Sequence, residues 1–472
     1  MIPRHFQRLT ATDASFVAQE QGPSHMHIGG VMIFEGPPPA YKALLQHIEA
    51  RLNLVPRYRQ RLLLPRLEMG RPLWIDDTRF TLSYHVRHTA LPPPGSIEQL
   101  QRLTARVVSQ RLDRSKPLWE MYLVEGLEGG RFALINKTHH AMVDGISGLD
   151  IATLLFDLSR EAPPSPRPGE KWRAHPEPSQ AEVAAKLLRD SARVVFGLAA
   201  SAARAVTEPD HAIEALRETA EGLGEVLWAG LTPAPPTPLN VPIGPHRRMT
   251  WVRTALADFK VIKNSLGGTV NDVVLAVVAG ALARWLRGRG VRTEGLELRA
   301  EVPVSVRAEQ EHNQMGNRVT VMIAPVPVYC DEPVERLRIV RQAMRGLKES
   351  KQALGAQLII GIERFAPPTL LAQASRLHFS PRFANLIVTN VPGPQFPLYL
   401  MGREMLEMAP VGFLADGFAM IVALVSYNGS LTFGLLGDYD ALPDLEVIGT
   451  YIKDALAELV AAGAERDTDA AS

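Results

Sequence analysis

R-F-A-L-I-N-K-T-H-H-A-M-V-D-G, residues 131–145, is the most informative segment of this 472-residue chain. Its first seven residues alternate as a strand does, with Phe132 and Leu134 on one face. His139 and His140 stand at the end of that predicted strand, and apolar residues at helical spacing follow the Asp-Gly pair. Two histidines therefore lie at a strand-to-helix junction, where a rigid backbone can present a side chain to a pocket.

The residue types at this junction allow acid–base chemistry. A histidine gains or loses a proton near neutral pH, which a general base requires. Asp144, four residues after His140, could orient the ring, cap the next helix or pair with a distant arginine. Gly145 permits backbone angles that other residues resist. The pattern H-H-x-x-x-D-G is therefore consistent with acyl transfer by a histidine base.

Two other interpretations of the segment are open on the residues alone. In the first, the histidines are ordinary residues of a turn. The second is a metal site, which is disfavoured because adjacent histidines at a strand end point in opposite directions and no H-E-x-x-H pattern or nearby third ligand accompanies them. The full pattern seldom arises by chance in a chain with 13 histidines. We therefore favour the catalytic interpretation.

The composition is that of a globular protein with an ordinary core. Hydrophobic residues make up 46% and charged residues 21% of the chain, and the formal net charge is +1. This balance argues against a nucleic-acid-binding surface over the whole protein. The single cysteine, Cys330, excludes an internal disulfide and a cysteine-based zinc site. We expect no signal peptide, and no apolar run reaches the ~18 residues of a spanning helix, so the protein is expected to be soluble or to touch membranes from one side.

Two proline-rich segments, 163–178 and 233–245, divide the chain, because such runs continue neither a helix nor a central strand. They predict an N-terminal lobe (1–175), a Pro-bounded helical connection (176–245) and a C-terminal lobe (246–472). The connection is either a helical hairpin packed on a domain or a basic amphipathic element that rests on a membrane. Periodicity further predicts helices over 40–54, 97–111, 271–287 and 334–348, and strands over 301–306, 318–328, 419–427 and 430–436.

Motifs spread in order along the chain carry a resemblance to a known family. They are L-T-A-T-D-A-S-F (9–16) with H-M-H-I-G-G (25–30), P-L-W (117–119), H-H-A-M-V-D-G (139–145), N-D (271–272) and N-V-P-G-P (390–394). The central motif is the signature of the CoA-dependent acyltransferase superfamily. The whole set resembles the bacterial bifunctional wax ester synthase/diacylglycerol acyltransferases, although each of the other motifs is weak alone.

The resemblance implies an α/β (α+β) fold of two chloramphenicol-acetyltransferase-like lobes, each a mixed sheet flanked by helices, with the active site in a tunnel between them. It implies that His140 is the general base and that His139 shapes the site without being the base. In the wider superfamily, the aspartate at the position of Asp144 has a structural role and pairs with an arginine from the other lobe. Arg307 is the first candidate for that partner here, and Arg318 is the second.

Other motif residues have a functional and a structural interpretation. Asn271 and Asn390 could donate N–H groups to a developing oxyanion. Alternatively, Asn271, which precedes Asp272, caps the helix that follows, and Asn390 belongs to a rigid turn. Pro117 and Trp119 are expected to be packing anchors in front of a strand.

The implied function is transfer of a long-chain acyl group from acyl-CoA, as co-substrate, to a diacylglycerol or long-chain alcohol. We expect no tightly bound cofactor, no metal and no nucleic-acid partner, and a cytoplasmic location at a membrane or lipid-droplet surface. Three alternatives are an acyltransferase of another fold with His139 as base, a non-catalytic lipid-binding protein, and an amide-forming condensation domain that needs a carrier partner. A serine hydrolase is disfavoured because the chain has no G-x-S-x-G elbow, and His27 is expected to be local structure.

Overall fold

The computed structural model describes residues 6–64, 71–142, 155–161, 172–185, 189, 233–305, 319–349 and 380–471. The helices that build the two lobes are α1 (Ala11–Gln19), α2 (Tyr41–Arg51), α3 (Leu82–His85), α4 (Ile97–Ser109), α5 (Leu256–Leu266), α6 (Val270–Gly288), α7 (Pro333–Glu349) and α8 (Leu445–Ala471). The strands are β1 (Gln7–Arg8), β2 (His27–Phe34), β3 (Gln60–Leu63), β4 (Leu73–Asp76), β5 (Val86–Ala90), β6 (Trp119–Leu127), β7 (Arg131–His139), β8 (Arg247–Ala255), β9 (Leu298–Ser305), β10 (Val319–Val326), β11 (Leu386–Val391), β12 (Tyr399–Leu400), β13 (Arg403–Val411), β14 (Met420–Tyr427) and β15 (Ser430–Asp438).

The elements predicted from periodicity are confirmed. The four predicted helices are α2, α4, α6 and α7, and the four predicted strands are β9, β10, β14 and β15, each with ends within a few residues. Other predictions lie outside the described residues, namely most of the helical connection, most of the helix after the H-H-x-x-x-D-G motif, and Asp144, Gly145, Arg307 and Arg318.

Two mixed six-stranded sheets form the frame of the molecule. The first has the order β12-β13-β2-β7-β6-β5, in which only β5 and β6 pair parallel. The second has the order β10-β9-β11-β14-β15-β8, in which β11 runs parallel to both β9 and β14. A smaller antiparallel sheet has the order β1-β4-β3. Each large sheet is flanked by helices, and the predicted two-lobed α/β fold is confirmed.

A segment from the C-terminal half completes the first sheet. Strand β13 pairs antiparallel with β2, so that Pro410 lies opposite Gly30 and Val411 opposite Gly29. Strand β12 adds a short edge outside it. The two sheets therefore do not follow the predicted boundary at residue 246. Strands β12 and β13 lie after that boundary in the chain but belong to the sheet of the first lobe.

Each lobe has its own apolar core, and a third cluster joins them. The joining cluster combines Val31 and Ile33 of β2 with Trp251 of β8, Ile387 of β11 and Phe413, which follows β13. Hydrogen bonds also cross this junction. One of them is donated by the indole Nε1 of Trp251 to Glu407 Oε1 at 2.8 Å. Because apolar side chains from both sheets share one cluster, the two lobes pack as one body around their junction.

Helix α6 is the central helix of the second lobe and begins with a capping box. Thr269 Oγ1 accepts the backbone N–H of Asp272 at 3.3 Å, and Asp272 Oδ2 accepts the backbone N–H of Thr269 at 2.7 Å. Thr269 is therefore the N-cap, and the structural alternative for Asn271, that it caps this helix, is wrong. The hydroxyl of Thr269 reaches the third helical amide, so Asn271 lies in the first turn with its side chain free for another contact.

Helix α6 is buried on all sides over most of its length. No single helix of the described residues is both long enough and apolar enough to cross a membrane. Helices α5 and α6 reach the required length and composition only together, as a pair that is bent by 101°.

Candidate active site

The two histidines of the central motif stand where strand β7 ends. His139 is the last residue of β7, and His140 opens a single 3₁₀ turn that ends at Met142. Neighbouring segments hold both backbones: His139 donates its N–H to the carbonyl of Leu118 at 2.9 Å, and His140 donates its N–H to the carbonyl of Met26 at 2.7 Å. The P-L-W and H-M-H-I-G-G motifs therefore fix the backbone of the pair from two sides.

His140 lies against aromatic side chains at the junction of the lobes. Its ring stacks on Phe16 of α1, with centroids 3.9 Å apart and planes at 22°, and meets the edge of Phe413 at 5.8 Å. The residue is partly exposed, whereas its Nδ1 is buried and has no hydrogen-bond partner among the described residues. Burial of the imidazole and its proximity to His139 lower the pKa of His140 to about 4. His140 is therefore neutral at pH 7, the form that can accept a proton.

His139 points into a polar cluster instead. Its side chain is buried, and its Nδ1 accepts the backbone N–H of Ala141 at 3.0 Å. An imidazole nitrogen that accepts an N–H carries a lone pair, so the proton of neutral His139 is on Nε2. That Nε2 faces Glu20 Oε2 at 3.4 Å. The ring is thus hydrogen-bonded at Nδ1, and its Nε2 lies next to the Glu20 carboxylate.

Glu20 is the buried centre of this polar cluster. Arg114 donates to Glu20 Oε2 from Nη2 at 2.6 Å and from Nε at 2.9 Å. His27 Nε2 lies 3.5 Å from Glu20 Oε1. Burial raises the pKa of Glu20, but the contacts with His139, His27 and Arg114 outweigh it and hold the pKa well below its usual range. Glu20 is therefore an ionised carboxylate inside the first lobe.

The sequence analysis missed Glu20 and Arg114, and it described His27 only as local structure. His27 lies opposite His139 across the β2–β7 ladder, with ring centroids 5.9 Å apart. Burial lowers the pKa of His27 to about 3. The only signal in the sequence was position, because Glu20 stands between the two N-terminal motifs, and nothing local linked it to Arg114 or His139.

A second buried ion pair lies in the same sheet. Lys137 of β7 and Glu120 of β6 approach to 3.2 Å, and both side chains are buried. Lys137 also donates to the carbonyls of Val107 and Gln110, each at 3.0 Å, where α4 ends. This pair ties α4 to the sheet and has no contact with His139 among those described.

Trp119 and Pro117 of the P-L-W motif pack the first lobe. Trp119 is buried, donates from Nε1 to the carbonyl of Tyr58 at 2.8 Å and stacks on His85, which is the environment of a packing anchor. Pro117 belongs to the tight turn before it, since its carbonyl accepts the N–H of Trp119 at 2.9 Å.

Asn271 and Asn390 are brought together although 119 residues separate them. Asn390, near the end of β11, donates from Nδ2 to Asn271 Oδ1 at 2.7 Å. This bond leaves the amide N–H groups of Asn271 for other acceptors.

The described part of the chain contains no group of at least three His, Cys, Asp or Glu side chains that could hold a metal ion.

Comparison with known proteins identifies the family. The model of the wax ester synthase/diacylglycerol acyltransferase catalytic domain matches residues 9–274, and the model of the C-terminal domain of the same family matches residues 315–460. A protein of Mycobacterium tuberculosis strain H37Rv, named as a probable diacylglycerol O-acyltransferase, is 34% identical over 462 residues, which are 97% of this chain and 96% of that protein.

Solved structures agree with this assignment. The wax ester synthase/diacylglycerol acyltransferase from Marinobacter aquaeolei VT8 is 28% identical, covers 97% of this chain and 100% of its own, and superposes with a TM-score of 0.66. The starter condensation domain of rhizomide synthetase, solved with C8-CoA and Leu-SNAC, is only 13% identical and shares the fold, with a TM-score of 0.56 over 98% of this chain and 95% of its own. On the matches of both family models and of full-length relatives, the chain belongs to the wax ester synthase/diacylglycerol acyltransferase family.

Proposed function

We propose that this protein moves a long-chain acyl group from acyl-CoA to the hydroxyl of a diacylglycerol or a long-chain alcohol, which gives triacylglycerol or a wax ester. Family membership supports the acyltransferase activity, and the mycobacterial relative carries the name of a diacylglycerol O-acyltransferase. A neighbour of the same fold was solved with an acyl-CoA, which supports acyl-CoA as the donor. A tunnel between the lobes would bring donor and acceptor to His140.

His140 is the proposed general base. The observation that carries this assignment is a partly exposed imidazole that stacks on Phe16 at the junction of the two lobes. Its lowered pKa favours the neutral ring that a general base needs. The ring takes the proton of the acceptor hydroxyl as the oxygen attacks the thioester carbonyl, and a tetrahedral oxyanion forms. When the carbon–sulfur bond breaks, the imidazolium returns its proton to the sulfur and CoA leaves as a thiol. General base catalysis of this kind contributes a factor of roughly 10²–10⁴ in rate.

Stabilisation of the oxyanion needs a hydrogen-bond donor near the reacting carbonyl. We assign this role to the Asn271 amide, because Asn390 occupies its carbonyl oxygen and so orients its N–H groups. Asn390 is then the positioning partner. The matching test compares Asn271→Ala with Asn271→Asp, both of which lose the N–H donor and should lower kcat more than they change KM.

The substrates and products of this reaction are apolar lipids. We infer that the protein works in the cytoplasm as a peripheral protein of a membrane or lipid droplet, since its acceptor is found there. Co-flotation of the purified protein with vesicles that contain diacylglycerol tests this location, and recovery of all protein in the lipid-free fraction would contradict it.

The decisive experiment offers long-chain acyl-CoA with hexadecanol and with diacylglycerol in parallel. Release of CoA is followed by thiol titration, and the ester is identified by chromatography. We expect release with at least one acceptor and loss of about 100-fold or more in His140→Ala, while His246→Ala, which removes an exposed histidine, should keep full activity. No release with either acceptor would defeat the proposed function.

The same assay separates the two histidines. If His139→Ala abolished turnover while His140→Ala kept it, the base would be the first histidine, as in acyltransferases of another fold. With His140 as base, His139→Ala should be impaired but retain measurable activity.

A further inference from the structure

At the end of helix α1, Glu20 is buried beside the motif histidine His139. We infer that Glu20 is a positioning residue whose carboxylate keeps the proton of His139 on Nε2, so that His139 Nδ1 can accept the Ala141 N–H and hold the turn that carries His140. This inference rests on the proposed function for its effect on turnover. Its structural part, the state of the His139 ring, stands independently.

The position of Glu20 is set by α1 and by Arg114. Glu20 is the C-cap of α1, and its backbone N–H donates to the carbonyl of Phe16 at 3.3 Å. Arg114 donates to the carbonyl of Val17 at 3.0 Å as well as to the carboxylate. The arginine therefore fixes the last turn of the helix and the carboxylate together, and the carboxylate cannot swing away from His139.

The carboxylate determines which nitrogen of His139 carries the proton. An ionised carboxylate only accepts hydrogen bonds, so a nitrogen that faces it is stabilised in its protonated form. His139 Nε2 is that nitrogen, at 3.4 Å. The opposite nitrogen, Nδ1, then has its lone pair directed to the Ala141 N–H. The other tautomer would set two N–H groups against each other at Nδ1 and a lone pair against the carboxylate.

Helix α1 therefore contacts both histidines. Phe16 stacks on the ring of His140, while Glu20, one turn later, faces the ring of His139. Ala141 is the residue after His140, so the bond from Ala141 N–H to His139 Nδ1 fixes the turn in which the His140 ring is carried. At metal sites, a group that orients a ligating histidine through its second nitrogen contributes a factor of about 10–100, and we expect an effect of the same order here.

Two other titratable groups face Glu20 and must be separated from this effect. His27 approaches Oε1, and Arg114 binds Oε2. If Glu20 served only as the partner of Arg114, removal of Arg114 would reproduce every consequence of removing Glu20. If Glu20 acts through His139, Arg114→Met leaves the carboxylate facing His139 and preserves the tautomer.

The test uses the full-length protein labelled with ¹⁵N-histidine. The variants are Glu20→Gln, which keeps the shape and an acceptor oxygen, Glu20→Met, which keeps neither charge nor acceptor, Arg114→Met, and Glu120→Gln as the matched buried carboxylate with no contact to His139. The His139 ring signals are assigned from their loss in His139→Asn. Folding of each variant is checked by cooperative thermal unfolding.

We expect His139 to be protonated on Nε2 in the wild type, Arg114→Met and Glu120→Gln, and to show a mixture of tautomers or a broadened ring signal in Glu20→Met. In the acyl-transfer assay, kcat should fall about 10–100-fold in Glu20→Met and less in Glu20→Gln. The KM for acyl-CoA should stay within about threefold, because the Glu20 side chain is buried and is not expected to contact the substrate.

An unchanged His139 signal in both folded Glu20 variants would overturn the inference, as would a kcat in Glu20→Gln and Glu20→Met equal to that of Glu120→Gln. These results are distinct from failure of the proposed function. That failure would be a wild type that forms no ester, and it would leave the dependence of the His139 tautomer on Glu20 measurable by NMR.

Discussion

At the scale of single residues, burial and neighbouring groups give adjacent histidines different roles. His139 is enclosed, with both ring nitrogens facing polar groups, whereas His140 keeps an exposed part and lies between two phenylalanine rings. Burial disfavours the imidazolium in an apolar setting, so the environment of His140 keeps it neutral. The chemical difference between the two residues comes from the direction in which consecutive side chains leave the end of a strand.

The lowered pKa of His140 predicts an unusual pH profile. The base is active when neutral, so activity is lost as pH falls through its pKa, which is about 4 here against 6.5 for an ordinary histidine. We expect kcat/KM, which reports the free enzyme, to stay level from pH 8 to about 5 and to decline only below that. Initial rates of thiol release across this range, with enzyme re-assayed at pH 7.5, provide the measurement. An acid limb centred near pH 6.5 would contradict the assignment.

Glu301 shows the cost of a buried acid without a partner. It lies in β9 opposite Ile323 and Ile387, is 1% exposed, and neither carboxylate oxygen has a hydrogen-bond partner in the part of the chain that the structure describes. Burial raises its pKa well above the ordinary 4.5. The folded state holds the proton of Glu301 more tightly than the unfolded state does. The favourable contribution of this group to the free energy of unfolding is therefore complete below pH 4.5 and is lost as pH rises toward the folded pKa.

Glu301→Gln should therefore stabilise the protein at pH 8 and change little at pH 4.5. The gain should grow by about 1.4 kcal/mol for each pH unit between 4.5 and the folded pKa. Urea unfolding at a series of pH values measures it, with Glu297→Gln, an exposed neighbour before the same strand, as the control. Equal unfolding free energies for wild type and Glu301→Gln at pH 8 would show that the buried carboxyl has no such cost.

At the scale of elements, helix starts set the direction of candidate site residues. The capping box of Thr269 and Asp272 begins α6 and places Asn271 in the first turn, beside Asn390 of β11. Strand β11 and helix α6 come from distant parts of the chain. The hydrogen bond between the two amides therefore forms only if α6 begins next to the point where β11 ends. The cap is therefore important for the site as well as for the stability of the helix.

Two matched cap deletions test this link. Helix α4 has its own capping box, from Ser96 to Gln99, away from Asn271. Thr269→Ala and Ser96→Ala should each lower the free energy of unfolding by about 1 kcal/mol, the usual loss of an N-cap hydroxyl. Only Thr269→Ala should also lower kcat, measured with the thiol-release assay. Equal kcat values in the two variants would show that the start of α6 does not orient Asn271 for the reaction.

At the scale of the whole molecule, the two sheets meet at a close backbone approach. A Cβ at Gly434 of β15 would lie 2.0 Å from the carbonyl oxygen of Pro410 in β13. Strand β13 belongs to the first sheet and β15 to the second, so glycine at 434 is what allows the sheets to come this close. The aromatic surroundings of His140 include Phe413, just beyond the same strand.

Gly434→Ala should therefore push the lobes apart. We expect a clear drop in the thermal unfolding midpoint and a loss of activity, because an added methyl cannot be accommodated against backbone atoms. Gly346→Ala is the control: no atom of the described residues lies within 4 Å of a Cβ added at this exposed helical glycine, and alanine there should stabilise the helix by about 0.5–1 kcal/mol. A Gly434→Ala variant with wild-type stability would mean that the junction yields easily.

The sequence by itself determined the local elements and the motif at the centre of the site. Helices α2, α4, α6 and α7 and strands β9, β10, β14 and β15 follow from apolar periodicity, because each buries one face or its whole surface within a single segment. The two histidines, Trp119 and the two asparagines were found because they stand in short contiguous motifs. The alternative that Asn271 is the N-cap of α6 was wrong, because Thr269 and Asn271 are both good cap residues and the hydroxyl of Thr269 is the group that reaches the third amide.

The tertiary structure alone decided how distant residues meet. Glu20 and Arg114, 94 residues apart, form the ion pair beside His139, and β13 returns from the C-terminal half to complete the first sheet. No periodicity marks such contacts, because a buried carboxylate is tolerated only where the fold supplies its partners from elsewhere in the chain. The ring that can accept a proton was therefore visible in the sequence, whereas the groups that orient it depend on the packing of segments far apart along the chain.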